Sequence, residues 1–179
     1  DENCVLVFVG DLAAGDYARE LQAIIKKSGS RARIKITGWA DAGVFEQYLA
    51  AADIGVQLRT LSRGETSAAV LDCMNYGLAT IVNSHGSMAD LPEECIWRMD
   101  DEFTDSQLVE ALETLWGDDQ ARRELGDRAQ LSIRQQHSPR ACAEQYFEAI
   151  EHFHNRASTS IPALVEAIAQ LDAPGNGAE

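Results

Sequence analysis

Glu65 and Asp72 are the two acids in this sequence whose setting offers chemistry. Glu65 lies in a polar, glycine-containing turn, residues 62–67 (SRGETS), and Asp72 follows seven positions later inside the apolar run AAVLDCM. That run reads as a helix beginning near Ser67, with Thr66 or Ser67 as its cap. The first N–H groups of such a helix have no intrahelical partner. Together with the helix dipole they form a site for a phosphate or sugar oxygen. Asp72, one to two turns below that end, can accept hydrogen bonds from the hydroxyls of a ribose or a sugar. The same spacing also suits a capping acid and an exposed helix position.

The elements that must position this turn alternate strand with helix. Residues 4–9 (CVLVFV) are a short unbroken apolar run, as expected of a strand buried on both faces of a parallel sheet. The loop GDLAAGDY follows, then helical spacing in Tyr17, Leu21, Ile24 and Ile25. Residues 33–37 (RIKIT) read as a second strand stopped by Gly38 and Trp39, and Asp41 is placed to start a helix carrying Val44, Phe45, Tyr48 and Leu49. A third strand, 54–58, precedes the central turn. The central helix ends on Gly77 and feeds a fourth strand, 80–82. The loop NSHGSMADLPEE has room for one short helical turn before Pro92, and residues 96–99 make a fifth strand.

This order predicts an α/β fold: a doubly wound parallel sheet of five to six strands, helices on both faces, and ligands at the carboxyl ends of the strands. From Asp105 the pattern is helix only, over 105–116, 119–136 and 139–154. A smaller amphipathic helix, 158–171 (Ile161, Leu164, Val165, Ile168, Leu171), and the tail APGNGAE complete the chain.

Composition excludes several classes. Apolar residues at 45% and charged residues at 25% are ordinary globular values, and 179 residues suffice for one domain with a proper core. The 29 acids against 15 bases give a net charge of −14, which repels nucleic acid, so no nucleic-acid partner is expected. Cys4, Cys73, Cys95 and Cys142 have no metal-ligand spacing and read as buried free thiols of a reducing compartment. With no run approaching a membrane span and no leader, the chain is expected in the cytoplasm. Gly10 and Gly15 do not make a dinucleotide turn, no Walker lysine follows a glycine loop, and His85-Gly86-Ser87 lacks a nucleophile elbow. His152 and His154, two apart, point to different sides of a helix. No metal site is expected.

At the central stretch the sequence resembles the retaining glycosyltransferases of the GT-B fold, family four. Their signature runs from a glutamate in a glycine-rich turn to a second acid followed by a small residue, methionine, two more residues and glycine. Asp72, Cys73, Met74, Asn75, Tyr76 and Gly77 stand in that order. Two departures are an Asp in place of the second Glu, and a Glu65 to Asp72 spacing one shorter than the common pattern, which leaves Gly64 at the expected place. GWADAGVFEQYLAAADIGVQLR, GSMADLPEE and ARRELGDRA resemble further segments of the same domain, so that about residues 4–152 are covered.

The resemblance implies a Rossmann-like donor-binding domain over residues 1–156, with 157–172 an additional helix and 173–179 a flexible tail. A full enzyme of this family has an acceptor half before the donor half. The first strand starts at the N-terminus, so the acceptor half is expected elsewhere in a longer protein or on another chain. The donor would be a nucleoside diphosphate sugar, with no other cofactor. A saccharide or lipid-linked acceptor would be reached through the missing N-terminal domain. The work would be polysaccharide or glycoconjugate synthesis, with any inner-membrane contact made through the rest of the protein.

Site roles follow residue by residue from the same resemblance. Glu65 would contact the transferred sugar and Asp72 the ribose, the N–H groups of Gly64, Glu65, Thr66 and Ser67 would face the sugar or diphosphate, and Gly38 and Trp39 would flank the base. Family members carry an arginine and a lysine after the first strand, but GDLAAGDY has no base. Arg59 and Arg63, Arg63 foremost, are positioned to substitute, since a planar guanidinium suits phosphate oxygens; the other reading of both is solvated charge at a loop. Two other functions fit the sequence: a binding or scaffolding domain that has lost turnover, and an enzyme of another class on the same sheet, such as a sugar-nucleotide epimerase, for which only His85 lies nearby.

Overall fold

The computed structural model describes residues 3–171, apart from the side chains of 157–160, 163, 164 and 166–171 in the last helix; the expected tail, 173–179, lies outside the described residues. The elements are β1 (Leu6–Phe8), α1 (Asp16–Lys27), β2 (Ile34–Ile36), α2 (Ala42–Ala51), β3 (Ile54–Gln57), α3 (Ala68–Asn75), β4 (Ala79–Asn83), β5 (Trp97–Met99), α4 (Asp105–Gly117), α5 (Asp119–Gln136) and α6 (Pro139–Leu171). Short 3-10 turns lie at Gly86–Asp90, before Pro92 as expected, and at Arg31–Arg33 and Glu93–Cys95. The chain divides into two compact units, Asp1–Gln130 and Leu131–Glu179.

In the first unit all strand pairing between named strands is parallel, in two ladders, β1-β2 and β3-β4-β5. Every residue of β4 is buried. Its alternation divides the core: Ala79 and Ile81 pack with Met99 of β5, Ala111 and Leu115 of α4 and Leu125 of α5. On the other face α3 lies so close to β3 that a Cβ at Gly55 would sit 2.8 Å from the Cys73 Sγ. Leu49 and Phe45 of α2 join Cys73 and Leu78. The helices therefore cover both faces of this ladder.

Residues 4–9 behave differently from the expectation. Only Leu6–Phe8 pair as a strand, Leu6 and Phe8 are exposed, and Ala18 is the one buried residue of α1. An apolar run favours burial, but burial is reached only where other elements cover the strand. The run is not buried on both faces.

Local signals explain the helix ends. The Asp41 carboxylate accepts the Val44 N–H at 2.8 Å and opens α2. Thr104 and Gln107 form a reciprocal capping box at α4. The central helix closes in a Schellman motif: Leu78 N–H donates to Cys73 O and Gly77 N–H to Met74 O, both at 3.0 Å, with Gly77 at φ +73°. Gly126 of α5 lies against that turn, and a Cβ there would collide with the Gly77 backbone.

In the second unit α6 runs as one helix of 33 residues through Pro162. The sequence reads instead as two helices, 139–154 and 158–171. Proline there removes one intrahelical donor and crowds the carbonyl four residues before it, at a cost of about 3 kcal/mol, and the helix continues through it. Tyr146, Phe147, Ile150 and Phe153 are exposed along it.

Candidate functional site

The turn between β3 and α3 stands at the carboxyl end of the β3-β4-β5 ladder, where α/β sheets hold ligands. Glu65 is its centre. One carboxylate oxygen accepts from Arg59 Nη1 at 2.7 Å and the other from the Arg63 N–H at 2.7 Å. The Glu65 backbone N–H, that of Arg63 and the Arg59 charge together hold this exposed carboxyl below the ordinary carboxylate range. Ser87, in the turn after β4, donates its hydroxyl to Glu65 O at 2.8 Å and ties the two loops. Gly86 allows this approach, since a Cβ there would collide with Ser62.

Ser67 is the N-cap of α3 by position but makes no capping bond with its side chain. Its buried hydroxyl accepts from Arg59 Nη2 at 3.1 Å instead. The N–H groups of Thr66, Ser67, Ala68 and Ala69 carry no partner among the described residues, so the open donors expected at this helix end are present. Gly64, at φ +87°, is less available than expected, because its N–H donates to Ser62 Oγ at 3.1 Å.

The two arginines differ. Arg59 is already engaged with Glu65 and Ser67, whereas the guanidinium of exposed Arg63 has no partner among the described residues. Asp72 is half-buried one turn into α3, and its carboxylate likewise makes no hydrogen bond among them. No hydrogen bond or ion pair among them joins Asp72 to Glu65 or to either arginine. Burial first, and the Asp72 charge second, push the Cys73 thiol up to about 11.

Gly38 and Trp39 lie beyond β2, at the end of the other ladder. Gly38, at φ +72°, forms an isolated antiparallel bridge with Gly10, whose N–H donates to Thr37 Oγ1 at 3.0 Å. No atom stands within 4 Å of a Cβ built on either glycine, so their backbone is open to a ligand. Trp39 is 78% exposed. No hydrogen bond or ion pair among the described residues joins this bridge to the Glu65 turn.

Sequence reasoning missed Asn83 and Asp101. Asn83, buried at the end of β4, bonds both the Arg59 backbone and Asp101, and Asp101 pairs with His85 Nδ1 at 2.8 Å. The signal was an amide closing the apolar strand ATIVN, a residue type that turns also use. Among the described residues no group of three or more His, Cys, Asp or Glu is placed to hold a metal, and no helix is long and apolar enough to cross a membrane.

No protein-family model matches the sequence, and neither does any curated protein. Solved structures do match. HepE of Anabaena, solved in complex with UDP, aligns at a TM-score of 0.72 and 21% identity over 84% of this chain and 43% of its own. WaaG, a glycosyltransferase involved in lipopolysaccharide biosynthesis, aligns at 0.59 and 21% over 73% and 34%. The C-terminal domain of LpcC, a glycosyl transferase group 1 family protein of Francisella tularensis, aligns at 0.59 and 20% over 69% and 64%. The chain thus spans less than half the length of HepE. At these identities the likeness is one of fold: a Rossmann-like α/β fold that this chain shares with part of HepE and WaaG and with the C-terminal domain of LpcC.

Proposed function

We propose that this chain is the donor-binding half of a retaining glycosyltransferase, moving a sugar, of hexosyl type, from a nucleoside diphosphate sugar to a saccharide or glycoconjugate acceptor. The observation that carries the reading is the row of N–H groups, Thr66 to Ala69, and the guanidinium of Arg63, all without a partner among the described residues, at the carboxyl edge of the sheet. Departure of a nucleoside diphosphate leaves negative charge on its phosphate. Donors fixed in advance at that place stabilise the transition state more than the bound substrate. Arg63 and the α3 N–H groups take the diphosphate, Asp72 the ribose hydroxyls, Glu65 the transferred sugar, and Gly38 with Trp39 the base. HepE, solved with UDP and with UDP-glucose, lends support through its fold. In this reading the acceptor binds an N-terminal half outside this chain, on the cytoplasmic side of the membrane if the acceptor is lipid-linked, and the chain alone does not turn over.

The test is calorimetric titration of the chain with UDP, GDP and ADP at low salt, without metal and then with magnesium. One nucleotide is expected to bind in the micromolar to low millimolar range. Arg63→Ala removes a charge-assisted bond of about 1.5–3 kcal/mol, roughly tenfold to hundredfold in affinity. A loss under about threefold would remove Arg63 from the site. The base-free loop GDLAAGDY and the prior engagement of Arg59 favour a second reading, a binding or scaffolding domain without turnover. Failure of all three nucleotides to bind a cooperatively melting chain would select it.

A further inference from the structure

Asn83 is 1% exposed and ends the most buried strand of the fold. A carboxamide in such a place is costly unless its donors and acceptor are met. Here they are met in a particular way. The Asn83 Oδ1 accepts the Arg59 N–H at 2.8 Å, and its Nδ2 donates to Arg59 O at 2.7 Å. Nδ2 also donates to Asp101 Oδ1 at 3.1 Å and to Asp101 O at 3.4 Å.

The β3-β4 register ends at Gln57 opposite Val82, so Arg59 lies just past the last rung. The side chain of Asn83 gives the Arg59 residue what a neighbouring strand would give it, one donor and one acceptor on a planar group. Asp offers acceptors only, and Leu offers neither. Asp101, beyond β5, is held in turn by His85. One buried amide thus joins the chain leaving β3, β4 and β5. The other end of Arg59, its guanidinium, reaches Glu65 and Ser67 at the start of α3.

We propose that Asn83 is a positioning residue of the nucleotide site, acting through Arg59: by clamping the Arg59 backbone it sets where that guanidinium holds Glu65 and Ser67, and with them the turn that presents Arg63 and the α3 N–H groups to the diphosphate. This rests on the donor-binding reading above. A misplacement of even about 1 Å at such a group is enough to lower function strongly.

The experiment is a double-mutant cycle on the whole chain, wild type, Asn83→Ala, Arg59→Ala and both, titrated with UDP, GDP and ADP. Asn83→Ala is expected to weaken the bound nucleotide about tenfold, or about 1.4 kcal/mol. In the Arg59→Ala background the further loss should be under about twofold. Equal losses in the two backgrounds, or none in the first, overturn the proposal. Asn83→Ser keeps a hydroxyl for the buried site but cannot span the Arg59 residue, and it serves if Asn83→Ala does not fold. Hydrogen exchange separates this proposal from the functional reading. The Arg59 amide should exchange faster in either variant while the amides of β4 hold. If no nucleotide binds the wild type, the donor-binding reading fails and with it the diphosphate role; an Arg59 amide unchanged in the variants removes the clamp as well.

Discussion

The two ladders of the first unit are built from similar apolar runs and end in different states. In β3-β4-β5 the central strand is buried throughout, Ile81 completely so, between α4 and α5 on one face and α3 on the other. In β1-β2 the strand residue Leu6 is 47% exposed and Phe8 and Val5 are exposed too. A run of Val, Leu and Phe reports a preference for burial, while the supply of covering helices decides whether the preference is met. The difference reaches the site. Arg59, Glu65 and Asn83 hang on the buried ladder, and the Gly38 turn with Trp39 hangs on the exposed one. If the proposed site is right, the diphosphate contacts are pre-set and the base contacts form on a surface with less support.

The sharpest way to break this contrast is a pair of truncations read by urea denaturation. Ile81→Ala is expected to cost about 2–5 kcal/mol, the range for a fully buried aliphatic side chain. Leu6→Ala should cost less than about 1 kcal/mol, since much of that side chain already meets water. Equal losses would mean that β1 is as buried in solution as β4.

A second prediction concerns pH within the buried ladder. Cys73 has its thiol raised from 9.0 to about 11. The native state holds that proton more tightly, so the contribution is complete below pH 9 and is lost as pH rises through about 11. Two units correspond to about 2–3 kcal/mol. The urea midpoint should fall between pH 9 and 11, and Cys73→Ala should flatten that slope.

The smallest effect belongs to the surface of the site. The Glu65 carboxyl is depressed, so the turn it orders is intact above the ordinary value near 4.5 and loosens as pH falls through the lowered one. Carbon-detected NMR should show the Glu65 titration moving up toward the ordinary value in Arg59→Ala. No movement would mean that the Arg59–Glu65 pair does not persist in solution.

Much of the scaffold was legible in the sequence. All five strands lie within two residues of the apolar runs, Asp41 opens α2, Gly77 closes α3, and the turn carrying Glu65 sits at a strand end. Three things were not legible, each for a physical reason. The exposure of Leu6 depends on cover that is remote in sequence. The passage of α6 through Pro162 depends on whether the rest of a long helix offsets a cost of about 3 kcal/mol at one residue, which no local signal reports. The bonds of Asn83 to Arg59 and Asp101 span 24 and 18 residues, and nothing local marks a strand-end amide as a clamp rather than a turn residue.

Trp39 makes the Gly38 turn its own reporter. The chain has three tryptophans; Trp97 is half-buried, Trp116 is 48% exposed, and Trp39 stands furthest into solvent at 78%. Its indole should therefore dominate the iodide-quenchable part of the intrinsic fluorescence. A nucleobase lying across that turn would shield it from iodide, so occupancy of the exposed ladder can be followed optically, without a label, while Arg59 and Glu65 are altered on the other.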